Sequence, residues 1–157
     1  MPRSGALLLA AFVVSLVAVG AALVSQHVYD MQPCPWCVLQ RVIFVAIAAA
    51  ALPGLLIRQP WARRTSSVLM GLLAICGMAA ALWQHFVAAS STSCNLTLAD
   101  RIVGGLGLDG LWPEVFAAYA SCADAAVKLA GISYEFYSLA LYALLGWVAM
   151  QVLRRPR

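Results

Sequence analysis

Four long apolar runs, separated by polar segments, dominate the pattern of this chain. The runs cover residues 5–25, 38–57, 66–89 and 136–153. A helix needs about 20 predominantly apolar residues to cross the hydrocarbon core of a bilayer, and these runs reach or approach that length. Uninterrupted runs of this kind exclude a transmembrane barrel, whose strands alternate apolar and polar residues. The pattern therefore predicts an all-α membrane protein built as a bundle of four transmembrane helices.

The first run also has one feature of a signal peptide, because Arg3 gives it a charged start. Its apolar stretch is longer than the roughly 7–15 residues usual in a signal peptide. No clear small-x-small cleavage site stands just before Gln26. We therefore expect this run to remain as the first helix of a single domain covering residues 1–157, with both termini on one side of the membrane.

Composition and charge support this class and orient the chain. Of its 157 residues, 64% are hydrophobic and 10% are charged, which is too apolar for a soluble domain of this size. The formal charge is +4, but the basic residues flank the apolar runs and form no patch for nucleic acid. Both ends and the 58–64 connection are basic, whereas outer loops 26–37 and 90–135 hold all six acidic residues. Because basic residues stay preferentially in the cytoplasm, we expect both termini there and both acidic loops outside.

The second outer loop is too long for a plain connection and contains an amphipathic pattern. One helical stripe is formed by Leu111, Trp112, Val115, Phe116 and Tyr119. This stripe predicts a short amphipathic helix. The helix lies either on the outer membrane surface or against the top of the bundle, and the pattern does not distinguish the two.

A Cys-Pro-Trp-Cys sequence, Cys34 to Cys37, directly precedes the second apolar run. Unpaired N–H groups and the helix dipole favour a thiolate at a helix start, and thiolates attack disulfides and quinones. A zinc half-site and a structural disulfide are alternatives. Zinc would prefer a second close pair, but Cys94 and Cys122 are 28 positions apart. Redox chemistry is the favoured interpretation.

The remaining cysteines differ in their setting. Cys94 and Cys122 both lie in the second outer loop, where a redox pair or a structural disulfide would be compatible with an oxidising compartment. Cys76 lies in the middle of the third run and is interpreted as a buried small hydrophobe.

Two further polar residues are candidates for the chemistry. Arg41 follows Cys37 by four residues and shares its helix face, so its guanidinium could donate hydrogen bonds to a quinone carbonyl. It could instead reach out to lipid headgroups as an interfacial anchor. His85, near the outer end of the third run, is interpreted more readily as an interfacial polar group than as part of a quinone site.

Together these residues resemble the disulfide bond formation protein B family, bacterial inner-membrane thiol oxidases. The resemblance covers nearly the whole chain. It rests on four helices, on the Cys34-Pro35-Trp36-Cys37 pair with Arg41 one turn later, and on Trp112-Pro113-Glu114-Val115-Phe116 ahead of Cys122. Members often carry Glu before the arginine, where this chain has Gln40. We expect no consequence of that difference.

The resemblance implies a function and a set of site residues. Cys34 and Cys37 would pass electrons to ubiquinone or menaquinone, with Arg41 at the quinone. Cys94 and Cys122 would exchange with a periplasmic thioredoxin-fold oxidase of the DsbA-like kind. The protein would then span the bacterial inner membrane with its cysteine loops in the periplasm.

Two alternatives remain at this stage. The vitamin K epoxide reductase family shares a four-helix core and two cysteine pairs, but there the loop pair precedes the Cys-x-x-Cys pair, and here it follows. A non-enzymatic alternative is a membrane scaffold whose four cysteines only join two loops. Oxidation of a dithiol partner that depends on quinone separates an enzyme from a scaffold.

Overall fold

Four long helices form the body of the protein in a computed structural model that describes residues 3–90 and 97–155. They are α1 (Arg3–Val28), α2 (Pro35–Leu56), α3 (Pro60–Phe86) and α7 (Tyr134–Arg154). Each is long and apolar enough to cross a membrane. The predicted bundle of four transmembrane helices is confirmed.

Two helix starts differ from the predicted ones because a proline occupies the first helical position. Helix α2 begins at Pro35 inside the cysteine motif, and α3 begins at Pro60, six residues earlier than expected. Proline suits this position, since its missing N–H would have no partner there and its φ is already helical. The predicted connection at 58–64 was therefore wrong, because Arg63 and Arg64 lie within α3. Arg63 is buried and donates a hydrogen bond of 2.7 Å to the Ser4 hydroxyl of α1.

Helix α3 packs against both α2 and α7, while α1 packs mainly against α2 and more sparsely against α7. A close contact in the core involves Tyr142 of α7, which is fully buried. Its ring lies over Gly77 of α3 and stacks on Phe44 of α2, with ring centroids 4.2 Å apart. Its hydroxyl donates a 2.8 Å hydrogen bond to the carbonyl of Gln40. One side chain thus joins three helices below the outer ends of the bundle.

Cys76 was interpreted as buried, and this was wrong. It is exposed on the outer surface of α3. The face of α3 that turns inward is marked by Ala74, Gly77 and Gln84, and Cys76 lies off that stripe. In a bilayer its thiol would contact lipid.

Short helices occupy the second outer loop, but the predicted stripe does not form one helix. The chain forms α4 (Leu98–Gly105), α5 (Leu108–Leu111) and α6 (Pro113–Phe116). Trp112 separates α5 from α6 with an extended φ of −140°, and Tyr119 lies beyond both. The longest of the three, α4, starts at a capping box in which Thr97 and Asp100 each accept a hydrogen bond from the other's backbone N–H.

A short β-hairpin, with two residues in each strand, leads from this loop into α7. Strand β1 (Lys128–Leu129) pairs antiparallel with β2 (Ile132–Ser133). Ala130 and Gly131 form the turn with φ values of 52° and 82°. Two positive φ values are what a tight hairpin turn of type I′ requires. The hairpin carries the chain back over the bundle to the start of α7.

Candidate redox site

Cys34 and Cys37 lie at the N-terminal end of α2, as the sequence predicts. Cys34 is the residue that caps the helix, and its sulfur accepts a hydrogen bond of 3.3 Å from the backbone N–H of Cys37. The two sulfurs are 2.8 Å apart. Cys34 is fully buried, while Cys37 is partly exposed. Because free N–H groups at a helix start stabilise negative charge, this end of α2 favours a thiolate on one of the two sulfurs.

Cys122 of the second outer loop reaches the same place. The backbone N–H groups of Tyr119 and Ala120 both donate to the carbonyl of Pro33, at 3.0 and 3.2 Å. This contact joins the second outer loop to the first, one residue before Cys34. It brings Cys122 close enough to Cys34 for each thiol to affect the pKa of the other.

The proximity of Cys34 and Cys122 shifts their pKa values in opposite directions. Hydrogen bonds to Cys122 and Cys37, together with burial, raise the pKa of Cys34 far above its usual range. The pKa of Cys122 is lowered, because its sulfur accepts the hydrogen bond from Cys34 and another from the backbone of Trp36, although burial opposes the shift. Cys122 is thus the more readily ionised member of this contact. Cys94, predicted as its redox partner, lies outside the described residues.

Two glutamine side chains, which the sequence analysis did not identify as functional, complete the surroundings of Cys37. Gln84 of α3 donates a hydrogen bond of 3.3 Å to the Cys37 sulfur. Gln40 donates one of 2.7 Å to the side-chain oxygen of Gln84 and so fixes its orientation. Both glutamines are buried. The signal for them was present in the sequence, because polar residues within membrane spans are rare and commonly functional.

Arg41 does not extend to the headgroups, which removes the interpretation as a simple interfacial anchor. Its side chain is only 5% exposed. It donates hydrogen bonds to the Gln26 side chain of α1 at 2.7 Å and to the Val115 carbonyl of α6 at 2.9 Å. A longer bond of 3.4 Å reaches the Ala22 carbonyl. Gln26 in turn donates to the carbonyl of Glu114 at 3.3 Å, so Arg41 and Gln26 together join α1, α2 and α6.

A cavity of about 260 Å³ opens between α1, α2 and α7 beside these residues. Small side chains of α1, among them Ala18 and Ala22, form one wall. Cys37 and Arg41 border the cavity from α2, and Glu135 borders it from the first turn of α7. The walls are mainly apolar with a few polar groups, which is the usual character of a site for a small organic molecule.

His85 is not among the residues that line this cavity. Its ring packs instead against Phe86 and Phe136, with centroids 5.0 and 4.7 Å away. This position agrees with the interpretation of His85 as an interfacial polar group.

These features define a class: a polytopic helical membrane protein whose paired thiols lie beside a cavity at one end of the bundle. Residues 3–152 match the family model described as Disulfide bond formation protein DsbB. The chain therefore belongs to the DsbB family, and the resemblance in the sequence is confirmed.

Individual relatives agree with the family model. The chain is 34% identical over 155 residues to Disulfide bond formation protein B 1 of Pseudomonas aeruginosa PAO1, covering 95% of this chain and 94% of the relative. It is 36% identical over 143 residues to the protein of the same description from Pseudomonas syringae pv. syringae, covering 84% and 79%. Disulfide bond formation protein B of Nitrosospira multiformis is 30% identical over 150 residues, covering 94% and 89%. The protein is thus a membrane protein of disulfide bond formation.

Proposed function

We propose that this protein reoxidises a periplasmic thioredoxin-fold thiol oxidase of the DsbA-like kind and passes the electrons to a membrane quinone. The observation that carries the proposal is a row of sulfurs. Cys122 lies beside Cys34, the sulfurs of Cys34 and Cys37 are 2.8 Å apart, and Cys37 borders the cavity of about 260 Å³. Electrons entering at the outer loop would therefore travel through short contacts to the cavity.

The proposed order of steps begins at Cys94 and Cys122. A partner dithiol attacks the disulfide of this pair and leaves oxidised, so two electrons and two protons pass to the loop cysteines. Disulfide exchange then moves the electrons to Cys34 and Cys37. The nearness of Cys122 to Cys34 supports this exchange, because a thiolate is the attacking species and Cys122 lies within reach of the sulfur that it would attack in a Cys34–Cys37 disulfide.

The electron acceptor, ubiquinone or menaquinone, would be a substrate held in the cavity. Cys37 would face its ring, and Arg41 would donate a hydrogen bond to a carbonyl oxygen. The acceptor takes up two electrons and two protons and leaves as quinol. The apolar wall of small α1 residues supports an entry route from lipid, because α1 packs only sparsely against α7.

We further propose that the chain lies in the bacterial inner membrane with both termini in the cytoplasm. The two outer loops are joined at Pro33, which supports placing them on the same side. That side would be the periplasm, since the loops carry the acidic residues and the opposite ends carry the basic ones.

Purified protein in detergent, supplied with a reduced thioredoxin-fold partner and ubiquinone, tests the proposal. We expect partner oxidation that requires quinone and yields one quinol per disulfide. The double variant Cys94→Ser with Cys122→Ser should lose partner oxidation. Unchanged turnover in that variant contradicts the proposed order of steps. A wild-type protein that oxidises no dithiol in the presence of quinone would instead be a scaffold.

A further inference from the structure

Glu135 is a buried carboxyl group at the cavity for which the steps above give no role. It lies in the first turn of α7, is 3% exposed, and borders the cavity that Cys37 and Arg41 also border. One of its carboxyl oxygens is buried without a hydrogen-bond partner. Buried polar groups are nearly always paired, so an unpaired one at a cavity wall suggests a partner that binds there.

A purely structural explanation of Glu135 is available but accounts for less. Acidic residues are common in the first turn of a helix, where they interact favourably with the helix dipole. A carboxyl group that only interacts with the helix dipole gains nothing from burial, and burying it without a hydrogen-bond partner is unfavourable. Glu114, in the first turn of α6, shows the ordinary arrangement with an exposed side chain.

A second, larger cavity adjoins the one that Glu135 borders. This outer chamber of about 710 Å³ shares six lining residues with the first cavity, including Ser25 and Gln32. Asp30 and Asp124 also line the chamber, and Gln32 donates a hydrogen bond of 2.7 Å to Asp30. Because the two cavities share lining residues and two carboxylates line the outer chamber, protons from solvent have a route into the cavity that Glu135 borders.

We propose that Glu135 supplies a proton to the quinone in the reaction proposed above, on which this inference rests. Oxidation of the Cys34 and Cys37 thiols releases two electrons and two protons, and the quinone takes up two of each. Glu135 donates a hydrogen bond to one ring oxygen and gives up its proton as the electrons arrive. It regains a proton from water in the outer chamber, into which the thiols release theirs. The other ring oxygen takes its proton from the same water.

A single-turnover experiment tests this role without the partner protein. Fully reduced protein is mixed with ubiquinone carrying a shortened tail, and quinone absorbance is followed over a range of quinone concentrations. Glu135→Gln keeps the size and a hydrogen-bond donor but has no proton to release. Since a positioned acid contributes typically about 10²–10⁴-fold, we expect the maximal rate to fall about tenfold or more while half-saturation stays within about twofold. Glu135→Asp should recover part of the rate.

Infrared difference spectra give a readout that does not depend on turnover. Addition of quinone to the wild-type protein should shift a carboxylic-acid C=O band that Glu135→Gln removes. Asp109→Asn is the matched control, because Asp109 is exposed on α5 away from both cavities. It should leave the band and the rate unchanged.

The outcomes separate this inference from the proposed function. If the wild-type protein reduces quinone and Glu135→Gln does so at the same maximal rate, Glu135 has no such role and the proposed function stands. A change in half-saturation alone would make Glu135 a binding residue and overturn proton supply. If Glu135→Gln does not fold, the absence of a quinone-dependent carboxylic-acid band in the wild-type protein overturns it equally. If the reduced wild-type protein does not reduce quinone, both proposals fail.

Discussion

The side-chain amide of Gln84 donates a hydrogen bond of 3.3 Å to the sulfur of Cys37. Among the described residues, it is the one hydrogen bond through which a side chain of α3 reaches the cysteine pair. An amide donor held at this distance stabilises sulfur as a thiolate. Gln84 is itself held by a hydrogen bond from Gln40, so the donor to Cys37 is fixed in place.

Replacing Gln84 by Met should slow quinone reduction by the reduced protein about tenfold. Met has a similar volume but no N–H, and a hydrogen bond to a charged group is worth roughly 1.5–3 kcal/mol. Each 1.4 kcal/mol corresponds to about tenfold. Stopped-flow mixing of reduced protein with quinone measures the rate. Gln151→Met, near the other end of the bundle, is the matched control and should behave as wild type. A wild-type rate in Gln84→Met would mean that this contact is structural only.

Substitution of Arg41 should weaken apparent quinone affinity in a graded way. Arg41→Met loses the charge and every hydrogen bond, and we expect affinity to fall about tenfold or more. Arg41→Lys keeps the charge but not the planar fork, so it should be partly defective. Quinone titrations at matched expression measure this. Arg64→Met removes an exposed arginine and serves as the control. Unchanged affinity in both Arg41 variants would leave the quinone site unassigned.

The alkylation of Cys122 should depend on pH differently from that of an ordinary thiol. Since its pKa is lowered, its thiolate persists as the pH falls below the usual titration range of cysteine, and its reactivity is lost only at lower pH. Cys34, whose pKa is raised, should stay unreactive over the same range. Mass spectrometry of reduced protein alkylated at several pH values measures both thiols.

A variant of Cys34 tests the cause of this difference. Cys34→Ala removes the donor to Cys122, so the pH profile of Cys122 should move upward toward that of an ordinary thiol. Both proteins, with and without Cys34→Ala, should also carry Cys76→Ala. This removes an exposed thiol on α3 that would complicate the assignment of the alkylated cysteines. If the pH profile of Cys122 alkylation is the same in Cys34→Ala as in the protein that keeps Cys34, then Cys34 does not donate a hydrogen bond to Cys122.

Gly77→Ala should destabilise the bundle. A Cβ at this position would lie about 2.5 Å from ring atoms of Tyr142, closer than real contacts allow. Overpacking of this kind costs typically about 1–3 kcal/mol. Thermal unfolding in detergent measures the loss. Gly20→Ala is the matched control, because a Cβ there meets nothing within 4 Å and alanine favours a helix. Equal stability of the two variants would mean that Tyr142 moves aside freely.

The sequence predicts the four spans well, because one property, apolar length, decides them. It also predicts that Cys37 and Arg41 share a helix face, since one turn separates them. It does not predict that Gln84 meets Cys37, because the two are 47 positions apart and the contact depends on how α2 and α3 rotate against each other. The stripe through Trp112 failed for a local reason. Pro113 starts a new helix there, and a residue before proline disfavours helical backbone.

The two hydrogen bonds that the Pro33 carbonyl accepts have a consequence for the order in which the loops come together during synthesis. Its two donors, Tyr119 and Ala120, follow α3 in the chain, so they reach it only after α3 has crossed the membrane. Until then Cys34 and Cys37 stand alone at the start of a newly inserted hairpin, accessible to any oxidant in their compartment. During synthesis the first cysteine pair therefore exists before the second loop can cover it. We therefore expect the surroundings to set its redox state in the nascent chain until the finished bundle brings Cys122 beside Cys34.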